Sequence, residues 1–167
     1  PVVETFQGAG VISRDLENHF FGRVGLFRNQ VGDELLRKSD LVITIGYDPI
    51  EYEASNWNKE LDTKIINVDE EHAEITNYMQ PVKELIGNIA DTIDMISKHV
   101  DEPFINQNHL DELERLRAEV TEATGIKATH KDGVMHPIEI IETMQKVLSD
   151  DTTAVSYTHL RAHETLR

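Results

Sequence analysis

Three kinds of apolar patterning run along the chain. The first is short and continuous. Leu41-Val42-Ile43-Thr44-Ile45 follows Asp40 and stops at Gly46, and Lys64-Ile65-Ile66-Asn67-Val68 stops at Asp69. Runs of this length, rich in β-branched residues, predict strands. Because they do not alternate, they predict a sheet buried on both faces, which means parallel strands in an α/β fold. Leu41–Ile45 and Ile65–Val68 are expected to be neighbouring central strands, with Ile43 and Ile66 in the core. Pro1–Phe6 is also β-rich and stops at Gly8-Ala9-Gly10, as a strand ending in a tight turn would. Val82–Ile86 is a shorter strand candidate.

The second pattern is helical. Gly32-Asp33-Glu34 opens a short helix that ends at Arg37-Lys38, with charges that match the helix dipole. Asn88 is placed to cap a helix carrying Asp91 in its first turn, with Ile89, Ile93, Ile96 and Val100 on one face. Asp101-Glu102-Pro103 ends that element. Leu110, Leu113, Leu116 and Val120 mark a further amphipathic helix. Pro137 sits at a first helical position ahead of Ile141, Met144 and Leu148. The third pattern is irregular. Val11–Asn29, with Phe20, Phe21, Gly22 and Gly25 in close order, predicts a loop. Thr124–Val134 predicts a linker, and Asp151-Thr152-Thr153 predicts the approach to another strand.

Composition narrows the function classes. Lys plus Arg is 16 against 31 for Asp plus Glu, a net charge of −15. Such a surface repels nucleic acid and anionic membrane, so neither is expected as a partner. There is no cysteine, which removes disulfides and thiolate metal sites and is compatible with a cytoplasmic location. No apolar run approaches the length of a membrane span.

Candidate chemistry is sparse. Gly8 and Gly10 supply two glycines of a dinucleotide-binding loop, but Ser13 holds the third place, so a plain turn is the expectation. Gly46 and Asp48, past one predicted strand, and Asp69, ending the other, stand at the sheet edge where α/β folds bind ligands. These three are the candidate cofactor-binding residues, and no catalytic residue is assigned. Gly32-Asp33 with Asn56 and Asn58 imitates the spacing of a G-D-G…Asn-Asn metal motif. However, Glu34 replaces the last glycine and no strand precedes Gly32, so no metal site is expected there. His19, His72, His99, His109, His130 and His136 show no paired metal-ligand spacing and are expected at surface or capping positions.

From Pro1 to Thr153 the chain resembles acetolactate synthases of the catabolic, acetoin-forming type. The resemblance is carried by Phe21-Gly22-Arg23-Val24-Gly25-Leu26-Phe27-Arg28-Asn29-Gln30, Ile45-Gly46-Tyr47-Asp48-Pro49-Ile50-Glu51-Tyr52, Glu84-Leu85-Ile86-Gly87 and His136-Pro137-Ile138-Glu139-Ile140. It implies a thiamine diphosphate enzyme that condenses two pyruvates to 2-acetolactate and CO₂. It also implies a fold that is α/β, a Rossmann-like parallel sheet flanked by helices, here truncated at both ends. Residues 1–126 would be the central domain without its first strand, 127–134 a linker, and 135–153 the start of the diphosphate-binding domain.

In such enzymes the cofactor and Mg²⁺ are held by the two other domains, so this piece would be structural and inactive. The subunits would pair as homo-oligomers. Biosynthetic relatives carry FAD and show G-A-R-F-D-D-R after the central strand. Gly46-Tyr47-Asp48-Pro49-Ile50-Glu51-Tyr52 lacks both arginines, which points to the FAD-free type. The rival readings are the FAD-containing biosynthetic enzyme and a non-catalytic nucleotide-binding module. Val155–Thr165 reads as one frame of a transposase-type sequencing adapter, so 154–167 is expected to be a non-native tail.

Overall fold

The computed structural model describes residues 1–25, 30–100, 109–124, 136–149 and 152. The chain divides into two compact units, Pro1–Thr124 and Gly125–Arg167.

The first unit contains two small sheets, both parallel. Strand β1 (Val2–Glu4) pairs with β2 (Phe20–Arg23) through an irregular register. After helix α1 (Val31–Lys38), strands β3 (Leu41–Ile45), β4 (Lys64–Asp69) and β5 (Lys83–Ile86) lie side by side in that order. Helices α2 (Ile89–Ser97) and α3 (Leu110–Thr124) follow. The predicted pairing of Leu41–Ile45 with Ile65–Val68 is observed, with Ile43 opposite Ile66.

Two expectations are corrected. Val11–Asn29 is not one loop: it contains a 3₁₀ turn, Arg14–His19, and strand β2. Gly22 reads as a breaker in the sequence. Here it sits inside β2 at φ 97°, a left-handed conformation open to glycine, and the pairing with β1 supplies the order.

The second correction concerns burial. One face of the three-stranded sheet is covered throughout, whereas on the other Val68 of β4 is buried and the β3 residues beside it are open. In a parallel pair, residues opposite each other share a face. Val42 and Ile65 face a core built with Val24, Leu36, Ala54, Trp57 and Met79. Leu41, Ile43 and Ile45 point the other way and remain 43%, 54% and 52% exposed. Helix α2 packs against β4, and its stripe residues Ile93 and Ile96 are themselves part-exposed. Ile43 is therefore not a core residue among the described elements.

Helix α1 joins the two halves of this unit. Leu36 belongs to the core of the three-stranded sheet, whereas Leu35 packs with Phe21 of β2 and Leu116 of α3. Val3 of β1 touches both clusters. The acids Asp33 and Glu34 and the bases Arg37 and Lys38 occupy opposite ends of α1, as the dipole favours.

The second unit contributes α4 (Pro137–Val147), with Pro137 at its first turn as predicted. His136 caps it: its Nδ1 accepts from Ile138 N at 3.2 Å, and its own N–H donates to Glu139 Oε2 at 2.8 Å.

Candidate functional site

Gly46, Asp48 and Asp69 line one pocket of about 380 Å³ at the carboxyl ends of β3 and β4. The sheet places them there. Gly46 ends β3 at φ 55°, its N–H donating to Val68 O at 3.0 Å. A Cβ at this position would come within 3.3 Å of Ile89 Cδ1, so glycine lets the chain turn off the strand beneath α2. Asp48 holds the next turn, its Oδ1 accepting from Ile50 N at 2.8 Å. Asp69 ends β4, and its Oδ1 accepts from Glu70 N at 2.7 Å. Each aspartate thus has a local structural bond as well as a place on the pocket.

The opposite wall is the segment after β4. Glu84 of β5 fixes it, with Oε1 accepting from Ala73 N at 2.8 Å and Oε2 lying 3.0 Å from His72 Nδ1. The Ala73 amide, followed by His72, holds the Glu84 carboxyl below its ordinary pKa. Tyr47 forms part of the other side. Its ring meets Trp57 edge-on at 6.4 Å, and its hydroxyl donates to Tyr52 O.

The pocket base was not singled out in the sequence. It is formed by Met79 and Asn67, which are 3% and 2% exposed. Asn67 Oδ1 accepts from Thr44 Oγ1 at 2.7 Å across the β3–β4 pairing, whereas Asn67 Nδ2 has no partner among the described residues. The available signal was a lone amide inside the apolar run Ile65–Val68. Met79 lies in a loop, where periodicity gives no guide.

The metal-like spacing of Asp33, Asn56 and Asn58 has an internal explanation. Asp33 is 2% exposed, with Oδ2 accepting from Gln30 N at 2.8 Å and Oδ1 accepting from the Tyr52 hydroxyl. Asn58 Nδ2 donates to Tyr78 O at 2.8 Å, and Asn56 Nδ2 bonds Glu53 O. These side chains stitch turns together. They do not fit a diphosphate-bound cation, and among the described residues no group of three His, Asp or Glu could hold a metal ion. Gly8 and Gly10 form plain consecutive turns that lead into the 3₁₀ segment and not into an α-helix, so that loop lacks the helix N-terminus a pyrophosphate needs. Of the other histidines, His99 Nδ1 bonds Met95 O. His130 and the 154–167 segment lie outside the described residues. Among the described residues no helix is long and apolar enough to cross a membrane.

Comparison with known proteins agrees with this architecture. Residues 1–96 match the family described as thiamine pyrophosphate enzyme, central domain. The chain is 43% identical over 153 residues to acetolactate synthase of Bacillus subtilis (strain 168), covering 92% of this chain and 27% of that protein. It is 36% identical over 151 residues to the catabolic acetolactate synthase of Raoultella terrigena, covering 87% and 26%. The chain thus spans about a quarter of the length of the curated relatives it matches. A parallel sheet with helices against it and a family match over the whole sheet lead to one conclusion: this chain belongs to the thiamine pyrophosphate enzyme central-domain family.

Proposed function

We propose that this chain is the central domain of a catabolic, FAD-free acetolactate synthase, a cytoplasmic enzyme that condenses two pyruvates to 2-acetolactate with release of CO₂. The observation that carries this reading is the 43% identity to an acetolactate synthase across 92% of the chain. Thiamine diphosphate, held with Mg²⁺ outside these residues, supplies the chemistry. The contribution of this chain is structural. In this reading residues 1–126 belong to the central domain, 127–134 to a linker, and 135–153 to the start of the diphosphate-binding domain. The exposed row Leu41, Ile43 and Ile45 supports a role inside a larger assembly, because soluble monomers rarely leave such strips bare. Homo-oligomeric pairing of the full enzyme belongs to the same reading.

The loop after β3 favours the FAD-free type. Gly46–Tyr52 carries Asp48 and Glu51 and lacks both arginines that could meet the phosphates of FAD. The test is direct. The full-length enzyme should form acetolactate from pyruvate with thiamine diphosphate and Mg²⁺, and should show no flavin absorbance after purification. The 167-residue chain alone should form none. Acetolactate made by the chain alone would overturn the assignment, and co-purified flavin would favour the biosynthetic type. Saturable nucleotide binding by an inactive full-length protein would favour a nucleotide-binding module.

A further inference from the structure

The pocket at the ends of β3 and β4 has a buried donor at its base and carboxylates at its mouth. Asn67 Nδ2 is buried without a partner among the described residues, although Oδ1 of the same side chain is satisfied by Thr44. A buried amide donor without an acceptor is costly, and a bound ligand would remove the cost. Asp48, Asp69, Glu71 and Glu74 surround the mouth. Asp48 and Asp69 each commit one oxygen to a local backbone bond. The basic lining residue, His72, is engaged by Glu84.

The base therefore donates and the mouth accepts. An ammonium group satisfies only the mouth. A phosphate or carboxylate satisfies only the base and is repelled by the four acids. A hydroxyl satisfies both, because its oxygen accepts and its proton donates. Tyr47, Pro49 and Met79 offer apolar surface for the C–H face of a ring. The volume of about 380 Å³ is ample for one small molecule. We propose that this pocket binds an uncharged polyhydroxylated molecule of sugar size, one hydroxyl oxygen accepting from Asn67 Nδ2 and neighbouring hydroxyls donating to Asp48 and Asp69. This site does not depend on the acetolactate reading.

The experiment titrates the ¹⁵N-labelled 167-residue chain with D-ribose and with myo-inositol, following the Asn67 side-chain amide resonances. Ribose 5-phosphate and putrescine serve as contrasts. At least one polyol should shift those resonances saturably, with both contrasts binding at least about tenfold more weakly. Asn67→Leu and Asp69→Asn should each weaken polyol binding about tenfold. The absence of a saturable shift with either polyol overturns the proposal, and so does equal or tighter binding of putrescine or ribose 5-phosphate. If Asn67→Leu fails to fold, Asp48→Asn and Asp69→Asn decide, and unchanged polyol affinity in both also overturns it.

Discussion

Tyr52 and Asp33 tie the loop after β3 to helix α1. The Tyr52 hydroxyl donates to the buried Asp33 carboxylate, and burial followed by that bond pushes the phenol well above its ordinary pKa. Tyr52→Phe should therefore destabilise the protein by about 1–3 kcal/mol, because it leaves a buried acceptor short of its donor. Urea unfolding of the variant measures this, and unchanged stability would show that Asp33 finds another partner. Gly25 makes a steric demand nearby. At φ 108°, an added Cβ would lie 2.9 Å from Glu51 O, so Gly25→Ala should also destabilise and shift the same loop.

Sequence reading placed Gly46, Asp48 and Asp69 at a sheet edge because strand ends are visible in apolar runs. It could not single out Asn67, because its missing partner is a property of the fold and not of the residue.

Between elements, α1 and α3 meet through both packing and charge. Leu116 is fully buried against Phe21 and Leu35, and Leu116→Ala should cost about 2–5 kcal/mol. Above that contact Arg115 bridges Glu34 at 2.5 Å and Glu112 at 2.7 Å, while Lys38 reaches Glu34 at 2.9 Å and also bonds Glu112. Arg115, then Lys38, lowers the Glu112 pKa to about 2. A depressed carboxylate contributes stability above its unfolded pKa and loses it as pH falls through the folded one. The window therefore runs from about 4.5 down to about 2. Acid unfolding of Glu112→Gln should lose sensitivity in that window, and an unchanged acid profile would show that the network is inert. Being solvent-exposed, the network should also weaken with salt.

The strands give the sharper contrast. Ile65 is 1% exposed and Ile43 is 54% exposed, so Ile65→Asp should unfold the first unit while Ile43→Asp leaves it folded. Circular dichroism melts separate the two outcomes. Equal loss would mean that the exposed face of β3 is covered in solution.

At the scale of the molecule, removing residues 154–167 should leave the melting temperature of the chain unchanged, because that segment reads as non-native sequence. A drop of several degrees in a calorimetric scan would contradict this.

The sequence by itself determined the parallel α/β class, the β3–β4 neighbours and the starts of α1, α2 and α4. These are local facts, fixed by short β-branched runs, by caps such as Asn88 and His136, and by Pro137. It also carried the family, through stretches such as Gly46–Tyr52 that need no coordinates to compare. Only the tertiary structure decided that Phe20–Arg23 is a strand, since a four-residue segment containing glycine is held by pairing with a distant partner. The fold also decided that the β3 row stays open on one face while Val68 beside it is buried, because a continuous apolar run reads the same whether one face or both are covered. It brought Asn67 and Met79 beneath Asp48 and Asp69, since a pocket is made by strand ends and returning loops that meet only once the sheet is assembled.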